Sequence, residues 1–545
     1  MPTTTAYRRR WAALAVLLTA EAMNLLDATI VQVAGPVIHT ALPGPAADIP
    51  WFSAAYTLPF AAFLITGGRL GDILGRAKVF KIGVSGFVLA SLGCAAAQNA
   101  GLLIGARALQ GAAAALVIPQ TIGLIRALFE GNELAKALGT IGPVMGLSAV
   151  TGPLLGGLLT QATSWRAVFL VNVPLGLAVL LAARLLREDG AATARSRLDP
   201  AGAESVVSGA GSCEGGPAIG PRRDPAGAGS VVAGVGSCEG GPAIGPRLDP
   251  TVVAPVVASA GQGGDRAAKR SRLDPTGAAP GVAAAGPREH RPATRPRLDL
   301  VGTALAVAGA GLLVYPLIDP AGPDWRPLAA GVGVLVVFGF HQRRSAAPLV
   351  EPSLFTHRGF PAALAGSLLF FAAMTGLMQV VPMQLQLGLG ADVRTAGLTL
   401  LPLSAGLAVS SWFAGARLVP RFGARVMFGG LAVLLLGILA AVAVYASVPG
   451  YPWPLPVALA LCGLGMGTFT VPFFTAALAR VRPHETGSAA GLLNAVQQLG
   501  GTLGVALLGG LYLGSGTAAA PLGVGAGLVV AAAAAVVPLS SRRGR

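Results

Sequence analysis

Long apolar runs limit most strongly what this chain can fold into. Six runs precede residue 187 and eight follow residue 299, and most are about 17–25 residues long. About 20 apolar residues in a helix cross the hydrocarbon core of a bilayer. The predicted spans are 11–35, 51–70, 79–97, 102–129, 137–161, 167–186, 300–318, 327–341, 360–385, 395–416, 424–446, 453–479, 487–513 and 517–539. The chain is therefore predicted to be an all-α polytopic membrane protein with 14 spans.

Positive charges alternate between the loops. Arg and Lys cluster before the first span and after even-numbered spans, whereas the other loops hold one or none. Because cytoplasmic loops carry the excess of Lys and Arg, both termini are expected in the cytoplasm. The net charge of +16 then reflects membrane topology, and no nucleic-acid partner is expected. Arg outnumbers Lys 35 to 4, which favours a GC-rich bacterial genome. With its many spans, the protein is expected in the bacterial cytoplasmic (inner) membrane.

The segment between the two sets of runs differs in composition. Residues 187–299 are rich in Ala, Gly, Pro, Ser and Arg, and an Arg-x-Asp-Pro motif recurs at a spacing of 25 residues. Units without a large apolar face cannot offset the entropy lost on ordering. We predict a disordered cytoplasmic loop enlarged by tandem duplication, with Asp299 at the start of the seventh helix.

Two acids lie within the first span. Glu21 and Asp27 share an arc of roughly 140° with Asn24 and Gln32, at 100° per residue of helix. A carboxylate near the middle of a membrane costs roughly 2.5–3.5 kcal/mol on insertion scales. This polar stripe is therefore expected to face a water-filled cavity or a partner helix, with Asp27 as the first candidate for a proton or cation site and Glu21 as the second.

A glycine- and charge-rich loop follows the second span. It contains Gly68, Asp72, Gly75, Arg76 and Lys78. As bare composition this is a solvated turn, but the ordered pattern resembles the loop motif of the major facilitator superfamily. In that superfamily the motif latches the cytoplasmic helix ends, which implies a gating loop here.

The fourth span carries Arg107 and Gln110 on one face. A lone Arg in a span is costly unless it is paired, and the candidate partners are Asp27 and Glu21. The stretch is similar to the superfamily's fourth-helix motif, whose arginine is linked to proton coupling. The alternative is an ion pair that serves only packing.

The fifth span carries small residues and a proline that can bend it. They are Gly146, Gly152, Pro153, Gly156 and Gly157. Small-residue faces permit close helix packing. Their order resembles the fifth-helix motif that distinguishes antiporters from symporters in the superfamily, which implies export.

Two further stretches, 26–36 and 165–176, resemble the first and sixth helices of the fourteen-span drug:proton antiporter family. Gln32 and Gly35 stand where that family usually has Asn and Leu. The resemblance implies a major facilitator fold of two six-helix bundles plus two extra central helices. The implied domains are an N-terminal bundle at 1–186, the repeat loop at 187–299, the extra helices at 300–342 and a C-terminal bundle at 343–545.

Uncharged polar groups in the spans are candidates for a substrate cavity, although helix-to-helix hydrogen bonding is an open alternative. They are Asn24, Gln32, Gln110, Gln386, Asn494, Gln497 and Gln498. No nucleophile, metal or phosphate-binding constellation appears, so neither an enzyme nor a metal or other cofactor is expected.

Together these features predict a monomeric, proton-coupled antiporter that exports drugs or other small hydrophobic or cationic compounds. In this hypothesis Asp27 takes up the proton while substrate leaves, and Arg107 tunes the proton affinity of Asp27. A proton symporter or importer of a small metabolite is one alternative. A membrane sensor or scaffold that does not transport is another.

Overall fold

The structure is a computed structural model that describes residues 4–185, 299–318, 324–345, 348–356, 359–448, 450–479, 481–482 and 485–540. All regular secondary structure in these residues is helical, which confirms the all-α prediction. The predicted disordered loop lies outside the described residues, apart from Asp299.

We number fourteen helices in chain order. They are α1 (Thr4–Ala41), α2 (Asp48–Leu74), α3 (Arg76–Ala95), α4 (Ala100–Leu128), α5 (Ile141–Ala162), α6 (Ala167–Leu170 and Asn172–Ala182), α7 (Leu300–Val314), α8 (Trp325–Arg344), α9 (Gly359–Met383), α10 (Val393–Phe413), α11 (Val426–Ser447), α12 (Leu455–Leu478), α13 (Thr486–Ser515) and α14 (Ala519–Ser540). Short helical turns extend several of them, including Tyr315–Leu317 after α7. A separate short helix, Gly131–Gly139, lies between α4 and α5.

Eleven helical stretches in the described residues are long and apolar enough to cross a membrane. One of them, Val393–Ser447, contains both α10 and α11. The apolar part of α6 is shorter, at Ala167–Ala182. The chain is thus a multi-pass membrane protein, and the count of 14 spans stays a prediction.

Apolar side chains pack into separate clusters in the two halves of the chain. One cluster is formed mostly by α9 to α14, and two others by α1 to α6. Helices approach closely where glycine meets a neighbouring backbone. A Cβ added to Gly111 on α4 would lie only 2.0 Å from the carbonyl oxygen of Tyr56 on α2. This contact brings Tyr56 beside the polar groups of α4.

Helices α7 and α8, which were predicted as the two extra central helices, form a hairpin. Asp299 joins them at one end. Its carboxylate caps α7 by accepting a hydrogen bond from the Gly302 amide at 2.7 Å. It also accepts from Gln342 at 2.8 Å and contacts His341 Nε2 at 2.9 Å, both on α8. Burial raises the pKa of the Asp299 carboxyl, but the hydrogen bonds from His341, Gly302 and Gln342 outweigh burial and lower that pKa overall. The carboxylate is therefore the form that holds this junction together.

Two substitutions separate the role of Asp299 as the N-cap of α7 from the role of its negative charge at the contact with α8. Asp299→Asn keeps a good N-cap, whereas Asp299→Ala removes the cap as well, which costs about 0.5–2 kcal/mol. We expect the apparent melting temperature of the protein in detergent to fall in the order Ala below Asn below wild type. Because the lowered pKa stabilises the fold only while the carboxyl is ionised, the gap between wild type and Asn should shrink as pH falls through that pKa. A gap that does not depend on pH would contradict this role.

Candidate functional site

The centre of the N-terminal half is a buried carboxylate with three side-chain donors. Asp27 on α1 is fully buried. It pairs with Arg107 of α4 and accepts hydrogen bonds from Gln110 Nε2 at 2.8 Å and from Asn172 Nδ2 of α6 at 2.7 Å. Of the two partners proposed for Arg107, the structure places Asp27 in contact. Since an uncompensated buried charge is strongly destabilising, the two residues depend on each other.

The guanidinium of Arg107 is held from several sides. Its Nε donates to the carbonyl of Phe52 at 2.9 Å, and Nη1 donates to Gln110 Oε1 at 2.7 Å. Its central carbon lies 4.4 Å from the centroid of the Tyr56 ring, a cation–π distance. Arg107 and Gln110 are three residues apart on α4, so both reach the same face toward Asp27.

The network extends to residues that sequence reasoning did not place in the site. Ser91 on α3 accepts a hydrogen bond from Gln110 at 2.8 Å, and Asn172 lies 3.4 Å from the same hydroxyl. Tyr56 donates its hydroxyl hydrogen to Asn24. The sequence offered the same signal for Ser91, Asn172 and Tyr56, namely a polar side chain inside an apolar run. That signal does not reveal which helix supplies the partner.

A cavity of about 180 Å³ lies beside this network, between the two halves. Both halves line it, through α1 and α2 on one side and α9 and α13 on the other. Its lining includes Glu21, Asn24, Gln32, Tyr56, Arg107, Asn494, Gln497 and Gln498, with Phe60, Met145, Phe371, Met374 and Met378 as apolar walls. Five of the seven predicted cavity amides therefore line one space.

The two acids of α1 have different surroundings. Glu21 lines the cavity, and its Oε2 atom is buried without a hydrogen-bond partner among the described residues. Asp27 is not among the lining residues, although its partner Arg107 is. Glu21 is thus placed to meet a bound molecule directly, whereas Asp27 can respond only through Arg107 or through a movement of the helices.

The other two predicted cavity residues lie elsewhere. Gln110 is bound into the network around Asp27. Gln386 donates a hydrogen bond to the Val33 carbonyl at 2.9 Å, and this bond joins the C-terminal half to α1. In the part of the chain that the structure describes, no group of three His, Cys, Asp or Glu residues is arranged to hold a metal ion.

The predicted gating loop is a tight turn between α2 and α3. Gly75 has a φ of +94°, in the region that favours glycine. Arg76 donates to Asp72 at 2.9 and 3.2 Å, and both side chains are partly exposed. Gly68 and Lys78 flank this pair near the ends of the two helices. Arg69 donates to the carbonyl of Pro348, which links the turn to the segment before α9.

The glycines of α5 contact both halves. A Cβ on Gly152 would lie 1.9 Å from Thr29 Oγ1, and one on Gly156 would lie 3.0 Å from the Ile30 carbonyl, both on α1. On the other side, Pro153 and Gly157 lie against α10. The helix therefore connects the segment that follows Asp27 with the C-terminal half.

Two glycines on the α10-facing side of α5 provide a matched test. A Cβ on Gly157 would lie 2.9 Å from the Val393 carbonyl oxygen and 3.2 Å from Arg394 Cα, where the backbone cannot give way easily. A Cβ on Gly146 would make an ordinary contact of 3.4 Å with the Ala408 side chain. Overpacking costs about 1–3 kcal/mol, so Gly157→Ala should reduce transport about fivefold or more. Gly146→Ala should transport like wild type, and equal effects in a vesicle uptake assay would contradict this difference.

Comparisons with known proteins give consistent matches. The family model described as Major Facilitator Superfamily matches residues 17–505. A probable actinorhodin transporter of Streptomyces coelicolor is 35% identical over 523 residues, covering 93% of this chain and 73% of the relative. A puromycin resistance protein of Streptomyces alboniger is 32% identical over 520 residues, covering 93% and 82%.

Solved structures share the fold at low identity. The xylose transporter XylE from E. coli, in a partially occluded inward-open conformation, aligns over 99% of both chains with a TM-score of 0.58 and 10% identity. A peptide transporter in complex with sulfate aligns over 97% of this chain and 94% of its own, with a TM-score of 0.57 and 11% identity. At these identities the likeness concerns the arrangement of helices alone.

Proposed function

Because the chain belongs to the Major Facilitator Superfamily, we propose that it is a secondary transporter that exports antibiotics or other small hydrophobic or cationic compounds in exchange for protons. The names of its relatives support export. Besides the two relatives above, they include a tetracenomycin C resistance and export protein and a cephamycin export protein. We place the protein in the bacterial cytoplasmic membrane as a monomer, with both termini inside.

One observation carries this proposal most strongly. A polar and thioether-lined cavity between the halves is lined by one acid, Glu21, and by Arg107, which pairs with the buried Asp27 directly behind the wall. Cavities that bind small molecules combine apolar walls with a few polar groups that orient the ligand. Transporters that alternate between two faces bind substrate near the middle of the membrane, between their repeats. Substrate and proton can thus bind at neighbouring but separate places.

The two acids, Glu21 and Asp27, then have separate roles. Glu21 offers a free carboxylate oxygen to the cationic or hydrogen-bond-donating group of a substrate in the cavity. Asp27 gives up or takes the coupling proton when the helices around it move and its three donors are released. Arg107 transmits the state of the cavity to Asp27 because it contacts both. The turn at Asp72–Arg76 and the close-packed glycines Gly152, Gly156 and Gly157 of α5 guide the movement between the two faces.

Glu21→Gln tests whether Glu21 binds substrate while Asp27 carries the proton. A charge-assisted hydrogen bond contributes about 1.5–3 kcal/mol, so the apparent affinity for a cation with N–H donors, such as ethidium, should fall roughly 10- to 100-fold. Proton exchange should persist at saturating probe. The measurement is probe uptake into inside-out vesicles with an acidified lumen, across a range of probe concentrations. Loss of proton exchange at saturation would assign the carrier role to Glu21.

The direction of transport decides between export and import. An efflux-deficient host that expresses the protein should resist at least one antibiotic of a panel that includes puromycin, and Asp27→Asn should remove that resistance at equal expression. Accumulation of a compound in intact cells, driven by an acidic medium, would support the symporter instead.

A further inference from the structure

The hairpin of α7 and α8 lies across the boundary between the two halves. Helix α7 contacts α2 near both ends of α7. The hydroxyls of Thr303 and Thr66 lie 2.8 Å apart, and the rings of Tyr315 and Trp51 lie 6.3 Å apart. Between them, Val314 and Ile318 pack against Ala54 in one buried cluster. The hairpin is thus attached to the N-terminal half over most of its length.

The buried contact of α7 with α13 of the C-terminal half lies at the outer end, whereas at the inner end Phe338 of α8 packs against a cluster that includes Leu349, Phe360 and Leu492. Ala506 belongs to the same buried cluster as Ala54. A Cβ on Gly510 would lie 2.2 Å from the carbonyl oxygen of Leu317, in the helical turn Tyr315–Leu317 that follows α7. By the predicted topology, this end of α7 faces the outside. The turn therefore fills the outer end of the groove between α2 and α13.

The hairpin itself is built as one body. Asp299 joins both helices at the inner end, as described above. A Cβ on Gly331 of α8 would lie 3.0 Å from the Leu313 amide nitrogen of α7, so the two backbones approach closely towards the outer end. The segment after α8 contacts both halves, through the hydrogen bond from Arg69 to Pro348 and through Leu349 and Leu354, which pack with Phe360 and Leu492. The outer contact with α13 is formed by apolar side chains and a close backbone approach, with no side-chain hydrogen bond to α7 among the described residues, whereas α2 has the Thr66–Thr303 pair. We therefore expect relative motion to be easiest at α13.

We propose that the two additional helices move with the N-terminal half, and that the turn Tyr315–Leu317 is an outer gate element that must leave α13 when the cavity opens to the outside. This inference rests on the proposed transport by relative movement of the two halves. Two-state movements of packed elements of this kind are common in transporters. The proposal gives the extra helices a mechanical role at one face of the cycle.

Two cysteine pairs that share one partner test this proposal. Cys94, Cys213, Cys238 and Cys462 are first replaced by alanine. Ile318→Cys is then combined with Ala54→Cys on α2 or with Ala506→Cys on α13. All three positions are at most 1% exposed and belong to one cluster, so the two variants change the packing similarly. A short membrane-permeant bifunctional methanethiosulfonate links each pair, the intact mass of the protein confirms one bridging reagent per pair, and a reductant reverses the link.

The two links should have opposite effects. Linking Ile318 to Ala54 should leave tetraphenylphosphonium uptake within about twofold of the reduced form, whereas linking Ile318 to Ala506 should reduce it about tenfold or more. Tolerance of both links, loss with both, or the reverse order would overturn the proposal. The reduced variants report on transport itself, so a failure of the proposed function appears there.

Spin-label distances decide the matter if a reduced variant does not transport. Labels on α7 and α2 should keep their separation between acidic and neutral pH, and labels on α7 and the outer end of α13 should move apart in one of the two conditions. A constant distance from α7 to α13 together with a change from α7 to α2 would overturn the proposal.

Discussion

Asp27→Asn is expected to abolish uptake of a probe into inside-out vesicles driven by an acidic lumen. Asparagine has nearly the same shape as aspartate and still accepts hydrogen bonds through Oδ1, but it cannot bind and release the coupling proton. Gln110 and Asn172 can still donate hydrogen bonds to the Oδ1 atom at position 27. Arg107 still donates to the Phe52 carbonyl and to Gln110, and it still lies over the Tyr56 ring. Arg107 then lacks its acid, so the variant should be less stable than wild type, but these contacts should let it insert and fold while it loses active transport.

The matched control is Asp324→Asn. That carboxylate caps α8 by accepting a hydrogen bond from the Arg326 amide at 3.0 Å, and asparagine is an equally good cap. Its uptake should stay within about twofold of wild type. Full pH-driven uptake by Asp27→Asn at equal protein level would show that Asp27 does not carry the proton.

Arg107→Leu is expected to cause the largest loss of stability. It removes one partner of a buried pair in which Arg107 and Asp27 are both fully buried. Breaking such a pair by removing one partner costs about 3–5 kcal/mol, because the remaining charge is uncompensated. The apparent melting temperature in detergent should fall sharply, and transport should be lost.

The double variant Asp27→Asn/Arg107→Leu separates charge from packing. It no longer buries an unpaired carboxylate, so it should be more stable than Arg107→Leu alone, although still inactive in coupled transport. Thermal unfolding of the wild type, both single variants and the double variant gives the interaction energy of the pair. Strictly additive effects would contradict a direct dependence between the two residues.

The pairing of Asp27 with Arg107 was one of two options in the sequence, because two charges inside apolar runs require compensation. The helical arc of α1 placed Glu21 and Asp27 on one side. It did not show that only Glu21 lines the cavity, since that depends on how α3, α4 and α6 close around Asp27. Asn172 and Ser91 were not assigned to the site for the same reason.

Similar limits apply to the rest of the fold. Apolar run length predicted where the helices lie, because the bilayer fixes that length for each span. It did not show that α6 is interrupted near Val171 or that the turn after α7 fills the outer end of the groove between α2 and α13, since these depend on tertiary contacts. Gln386 was predicted to line the cavity but bonds the α1 backbone, as an amide in an apolar run satisfies either role.

The most direct test of proton-coupled export is the pH inside proteoliposomes during transport. Purified protein is reconstituted with a pH-sensitive dye in the lumen, the membrane potential is clamped at zero, and a probe that the protein was shown to export is added outside. Exchange predicts that probe entry releases protons from the lumen, so that the luminal pH rises, and that Asp27→Asn shows no such change. A fall in luminal pH with probe entry, or probe transport without any pH change, would contradict the account.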